Sequence, residues 1–222
     1  MKKLLKIICL ILVAGAVLFL IISNIISSSN TTPEEVWDEN TVLGNKDAKH
    51  HYIVYTDLSC GYCYRLSSVL VNNEDVLRDY LSENDVKLEL RVVPYLGSDL
   101  AFWGAEAISC AAEDGRFWNY FKEVITSLGN DFFNSEAEAT IDENYFINVG
   151  KRVGMSEKFN QCVSKHQKSK AVEELGDTAN RKIGGAGGSG GVPYAKFGKY
   201  TSNGFDQSWG WNKFKQMMDA GL

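Results

Sequence analysis

Hydrophobic residues run without interruption at one place in the chain. Residues 7–26 hold 20 positions without a charge, and only Ser23 and Asn24 are strongly polar. At about 1.5 Å per helical residue this stretch is about 30 Å long, enough to cross the hydrocarbon core of a bilayer. A polar linker follows at residues 27–30. Thr32, Pro33 and Glu35 then form a capping-box pattern with Pro at the first helical position, which predicts a short helix. Residues 51–56 are rich in β-branched and aromatic side chains and read as a buried strand, which runs into helical spacing over residues 64–71. Residues 86–93 alternate, Val86, Leu88, Leu90 and Val92 against Lys87, Glu89 and Arg91, and predict a strand with one buried face.

From residue 98 to residue 183 strand patterning is absent. Residues 101–112, 116–128, 141–153 and 157–175 carry helical periodicity, and Thr140 with Glu143 makes a second capping box. Two short strands are expected around residues 194–197 and 199–201, and Ser208 reads as the cap of a helix over 209–220. Phe117, Trp118, Tyr120 and Phe121 recur at helical spacing as core, with Trp209 and Trp211 in a similar role. Lys165, Lys168 and Lys170 read as a solvated helix face. The order predicts an α/β sheet interrupted by a helical insertion at about 98–183.

Charge places these elements relative to the membrane. The net charge of −5 is an average: residues 1–32 carry Lys2, Lys3 and Lys6 and no acid, leaving 20 basic against 28 acidic residues, net −8, in the rest. After the apolar run no Lys or Arg occurs until Lys46, whereas Glu34, Glu35, Asp38 and Glu39 intervene. The positive-inside rule therefore predicts a cytoplasmic N-terminus and an extracytoplasmic body. The run exceeds the roughly 7–15 apolar residues of a cleaved leader and lacks an Ala-x-Ala site, so a retained anchor is expected. This divides the chain into a cytoplasmic stub (1–6), a transmembrane helix (7–26), a linker (27–40) and one domain (41–222). An acidic body without clustered Lys and Arg excludes nucleic acid as a partner. The 45% hydrophobic and 12% aromatic content excludes global disorder.

Five cysteines supply the candidate chemistry. Cys9 lies in the apolar run and reads as filler. Cys60 and Cys63 form C-G-Y-C where a strand meets a helix. There the positive end of the helix dipole and the unpaired N–H groups lower a thiol from about 8.5 into the range of roughly 3.5–7.5. Cys60 is expected to be the exposed nucleophile and Cys63 the buried thiol that resolves the mixed disulfide. A zinc site would need two further ligands at matching spacing, which His50, His51 and His166 do not provide, so no metal is expected. Cys110 and Cys162, 52 positions apart, are expected to form a structural disulfide, worth about 4 kcal/mol by chain entropy. The alternative is a second redox pair acting in relay.

The segment YTDLSCGYCYRL, residues 55–66, resembles the active-site segment of the DsbA/DsbC superfamily of extracytoplasmic thiol-disulfide oxidoreductases. The resemblance spans most of residues 42–222 and includes LGNKDAKHHYIVYTD, the ISCAAEDGRFWNYF segment at 108–121, and Gly191-Val192-Pro193 before a short strand. It implies a thioredoxin-like fold with an inserted helical domain. Pro193 aligns with the family's cis-proline; with Val192, and with Gly61 and Tyr62 between the cysteines, it would contact substrate. It also implies that no cofactor is needed, that the substrates are cysteine-containing exported proteins, and that an integral-membrane redox partner exists.

Three departures bear on direction. Gly61-Tyr62 is the isomerase-type dipeptide, whereas the oxidase more often carries Pro-x. Val54 stands six residues before Cys60, where the oxidase has a buried acid; Asp57 is nearer, with no role assigned. Only the linker separates the anchor from the fold, which leaves no room for the isomerase's dimerisation domain. The expectation is an oxidoreductase acting in disulfide formation or exchange. A DsbC-type isomerase or reductase, and a redox-inert binding adaptor, are the alternatives. Gly185, Gly187 and Gly190 satisfy G-x-G-x-x-G, but the run follows a helix and leads to Pro193, so a dinucleotide site is rejected. The run, residues 184–191, reads instead as a flexible loop beside the active site that lets varied substrates dock.

Overall fold

The computed structural model of the chain describes residues 37–135, 140–184 and 190–222. The stub, the apolar run with Cys9, the Thr32–Pro33 helix start and residues 185–189 of the glycine run lie outside them. Among the described residues no helix is long and apolar enough to cross a membrane.

Five strands form one sheet in the order β1-β3-β2-β4-β5. They are β1 (Val42–Gly44), β2 (His50–Thr56), β3 (Val86–Val92), β4 (Tyr194–Phe197) and β5 (Tyr200–Asn203). The central pair, β2 and β3, is parallel, which requires a crossover; α1 (Gly61–Asn72) and α2 (Glu74–Glu83) supply it. The other pairings are antiparallel. Between β3 and β4 the chain makes α3 (Asp99–Glu113), α4 (Phe117–Leu128), α5 (Glu143–Arg152), α6 (Glu157–Ser164) and α7 (Ser169–Ile183), and α8 (Trp211–Asp219) closes it. The α/β order with a helical insertion is the one the periodicity predicts. β1 and α2 go beyond it, the first because three residues carry no period, the second because Leu77, Tyr80 and Leu81 give it a single short apolar face.

One face of the sheet carries Tyr52, Val54, Leu88 and Leu90 into the main core, where Phe117, Trp118, Tyr120 and Phe121 are also buried. α8 packs there too; the buried Tyr52 hydroxyl donates to the Met218 carbonyl at 2.9 Å. The opposite face gathers Ile53, Tyr55, Cys60, Cys63, Val93 and Val192 against Ala179 and Ile183 of α7.

Several expectations are corrected. β3 is buried on both faces, with Glu89 0% and Arg91 3% exposed. The reason is a closed set of charges. Arg91 donates to Glu89 from Nε (2.8 Å to Oε1) and Nη2 (2.9 Å to Oε2), the Trp37 N–H reaches Oε1 at 2.9 Å, and His51 Nε2 lies 2.8 Å from Oε2. The Arg91 guanidinium also stacks 4.2 Å over the Trp37 ring. The helix expected over 157–175 is two helices. His166 adopts φ +49 between them, because the buried Glu106 carboxylate takes His166 Nδ1 (2.8 Å) and the Lys168 N–H (3.2 Å). Lys168 is correspondingly paired with Glu113 rather than simply solvated. α5 is capped by Asp142, whose Oδ1 accepts from the Tyr145 N–H at 2.9 Å, not by Thr140. Ser208 spends its hydroxyl on Asp206, so α8 starts two residues late, behind Gly210, and Gly198 at φ +56 turns the chain so that β5 also starts late.

Cys110 and Cys162 are joined in a disulfide between α3 and α6, with Cα atoms 5.9 Å apart. Replacing both by Ala is expected to lower unfolding free energy by about 2–5 kcal/mol in urea titrations.

Glu89→Gln is expected to lower stability by about 3–5 kcal/mol at pH 7, because it leaves Arg91 buried without its partner. Burial alone would raise the Glu89 pKa, but hydrogen bonds from His51, Arg91 and Trp37 and the Arg91 charge hold it below the ordinary value. A carboxylate depressed in the folded state contributes stability above its unfolded pKa, and that stability is lost as pH falls through the folded value. The gap between wild type and variant should therefore narrow below about pH 4, as followed by urea midpoints across pH.

Candidate active site

The parallel β2–β3 pair decides where the cysteines stand. β2 is buried along its last five residues, and its chain leaves the sheet through a tight turn in which the Cys60 N–H donates to the Asp57 carbonyl at 3.1 Å. α1 begins at once. Cys60 is its N-cap, with extended backbone (φ −91, ψ 120), and its carbonyl accepts from the Tyr64 N–H at 2.8 Å. No acidic residue stands in the first turn, so the positive end of the helix dipole is left to the sulfur. Leu58 anchors the turn from below. It packs over Gly104 of α3, where a Cβ would stand 2.6 Å from the Leu58 Cδ1.

β4 delivers the other half of the site. Its antiparallel register on β2 sets Tyr194 opposite Tyr55, so the residues just before it fall beside the Cys60 turn. The Val192–Pro193 peptide bond is cis, and the Cys60 thiol donates to the Val192 carbonyl at 3.5 Å. The cysteine turn and the Val192–Pro193 segment are therefore brought together across 132 positions of sequence. Gly61 and Tyr62, between the cysteines, are open to solvent; a Cβ at Gly61 would meet open space, and Tyr62 is 52% exposed.

Both thiols are free. Cys60 is more recessed than the expected exposed nucleophile, at 7% exposure against 0% for Cys63, because Val192 overlies it. Their acidities separate sharply. Hydrogen bonding with the Cys63 thiol lowers Cys60 to about 6, against burial and the Asp57 charge and with help from the Cys63 and Tyr62 backbone. Burial raises Cys63, and its hydrogen bond and charge interaction with Cys60 raise it further. At neutral pH the pair is one thiolate held by one thiol.

Two buried features were not legible as site residues. Glu89 and Arg91 share a sheet face with Ile53 and Tyr55, their register partners on β2, and Arg91 donates to the Tyr55 hydroxyl at 2.7 Å. Asp57 is buried and accepts from the Leu96 N–H at 2.8 Å. The signal for Glu89 and Arg91 is an i, i+2 pair of opposite charges within a strand next to His51; nothing comparable marks the Leu96 bond. Among the described residues no group of three or more His, Cys, Asp or Glu side chains converges as a metal site.

Residues 37–185 match the thioredoxin family. No curated protein matches the chain in sequence. Among solved structures, the chain is similar to a thioredoxin-like oxidoreductase from Silicibacter pomeroyi (TM-score 0.59, 19% identity, covering 82% of this chain and 92% of that one). It is also similar to the thiol-disulfide oxidoreductase MdbA from Corynebacterium diphtheriae (0.58, 21%, 75% and 88%). A third is the thiol-disulfide exchange protein alpha-DsbA2 from Wolbachia pipientis (0.56, 18%, 81% and 85%). At these identities the likeness is one of fold.

The two acidities predict the alkylation of the reduced protein. Iodoacetamide should modify Cys60 with a pH midpoint near 6, and Cys63 should remain unmodified throughout the neutral range. Mass spectrometry of the labelled peptide reads both.

Proposed function

The chain belongs to the thioredoxin family, and from that premise we propose that it is a protein thiol-disulfide oxidoreductase in which Cys60 exchanges disulfides and Cys63 resolves them. The observation that carries the reading is a pair of free thiols at the start of a helix, with Cys60 against the Val192 carbonyl and the two acidities driven apart. A redox-inert adaptor has no use for a thiolate at neutral pH.

In the oxidising direction a substrate thiolate attacks the Cys60 sulfur of the Cys60–Cys63 disulfide. The bond between the two cysteines breaks, and Cys63 leaves with the electron pair and takes up a proton, for which its burial suits it. A second substrate thiolate then attacks the substrate sulfur of the mixed disulfide. Cys60 leaves as a thiolate, and a low-pKa thiol leaves fastest. The substrate has lost two electrons and the protein has gained them; a disulfide-bearing membrane partner takes them back. Run in reverse, the same steps reduce or isomerise a substrate disulfide. The cis peptide segment and the exposed Tyr62 offer an extended substrate chain backbone groups and an aromatic face beside Cys60.

The apolar run at 7–26 and the charge asymmetry around it support a tethered enzyme with its domain outside the cytoplasm, acting on exported proteins. That is where disulfides persist.

The thiolate bears on direction. Stabilising the thiolate stabilises the reduced form and makes the pair more oxidising. A thioredoxin-type thiol near 7 accompanies about −270 mV, and the strongest oxidase, near 3.5, about −120 mV. A Cys60 thiol at about 6 places the expected potential between those limits, as measured by equilibration with glutathione. A value at or below about −270 mV overturns the oxidase direction. Cys63→Ser should accumulate a mixed disulfide with substrate, and Cys60→Ser should form none, as seen on non-reducing gels.

A further inference from the structure

The oxidase-type acid is missing at Val54, yet the site holds a buried carboxylate three residues before Cys60. Asp57 is 0% exposed. Among the described residues the other fully buried acids, Glu89 and Glu106, each face a basic side chain, Arg91 and His166. Asp57 is held by neutral donors: the Ser59 N–H at 2.8 Å and Ser59 hydroxyl at 2.7 Å on Oδ1, and the Leu96 N–H at 2.8 Å on Oδ2.

These bonds join the parts of the site. Ser59 directly precedes Cys60. Leu96 lies in the loop after β3, which is tied to the end of β2 by the Val93 N–H on the Thr56 carbonyl at 2.9 Å. From that loop the Tyr95 hydroxyl donates to the Gly190 carbonyl at 2.9 Å, just ahead of Val192 and Pro193. One carboxylate therefore fixes the nucleophile's turn to the loop that also holds the cis-proline segment.

We propose that Asp57 is a positioning residue for the Cys60–Cys63 pair, fixing the turn that aims the Cys60 sulfur at Val192 and, through its unneutralised charge, keeping the pair from becoming strongly oxidising.

The sign of the charge effect is fixed by what surrounds Cys60. Cys63 and the Tyr62 backbone favour its thiolate, and Asp57 is the carboxylate that opposes it. The elements packed around it otherwise present Ile53 and Tyr55 from β2, Val93 after β3, Ala179 and Ile183 from α7, and Val192. These side chains are uncharged, and on the same face Arg91, which donates to the Tyr55 hydroxyl, is paired with Glu89. An anion beside a thiolate raises the energy of the dithiol form relative to the disulfide, which lowers the oxidising power.

The test compares the full chain with two variants by thiolate absorbance at 240 nm across pH and by equilibration with glutathione. Asp57→Asn keeps an oxygen for Ser59 and removes the charge. It should lower the Cys60 midpoint and move the equilibrium towards the dithiol by about two- to tenfold, tenfold being ~30 mV. Ser59→Ala keeps the charge and removes a donor that disperses it, so the midpoint should rise and the equilibrium move towards the disulfide. A purely structural role would move both variants in one direction or neither, and either result overturns the proposal. If Asp57→Asn does not fold, Ser59→Ala decides alone: a rise supports the proposal, and no change or a fall overturns it. The inference rests on the redox reading of the pair. A wild-type Cys60 titrating as an ordinary thiol near 8.5 would sink that reading, whereas a low wild-type midpoint with unmoved variants sinks only the role of Asp57.

Discussion

The placing of two free thiols together at one helix start is the constraint from which the site's chemistry follows. It lowers Cys60 and raises Cys63 at once, so a single contact creates both an attacking group and a protonated reserve. The contact exists because two intervening residues bring the second sulfur back to the first within one helical turn. The helix in turn starts where it does because β2 is buried to its last residue and must leave the sheet at Thr56. The parallel β2–β3 pairing and its crossover fix that exit. The fold is arranged around one turn, residues 57–60, which has a helix N-terminus on one side and the cis Val192–Pro193 bond on the other.

Holding such a turn in an apolar setting calls for polar groups that are themselves satisfied. Glu89 shows the complete case: its two oxygens receive four contacts, and burial that would otherwise neutralise it is outweighed. Asp57 is the other case, a carboxylate whose hydrogen-bond donors among the described residues, Ser59 and Leu96, are neutral. The two acids share the side of the sheet that carries the cysteines but do different things. The first anchors Trp37 and the sheet face; the second holds Ser59, the residue directly before the reacting cysteine.

The hydrophobic pattern carried much of the fold, and its failures are instructive. Composition found β2, and period alone found α1, α3 and α4 because each has a long apolar face. It misjudged β3, since Glu89 and Arg91 read as a solvated face when each is in fact buried by the other. It merged α6 and α7 because both halves are amphipathic and the break is made by Glu106, 60 residues away from His166. Asp142 in place of Thr140, and Gly210 in place of Ser208, are cap choices set by where each side chain's hydrogen bond goes. C-G-Y-C was legible because a strand–turn–helix junction gives that spacing a chemical reason. Asp57 was visible as a residue, but its bond to Leu96 spans 39 positions and leaves no local trace.

By itself the sequence determined the thiol pair, its place at a helix start, the helical insertion and the charge asymmetry around an apolar run. Each of these is a local matter of spacing, period or composition. Only the tertiary structure decided which sulfur is acidic, which carbonyl faces it, and which buried acids are neutralised. Those are properties of distance and burial, which depend on how β4, α7 and the loop after β3 close around one turn. Acidity is set by the neighbours a group acquires in three dimensions, and Val192 and Leu96 become neighbours of Cys60 and Asp57 only when the sheet is assembled.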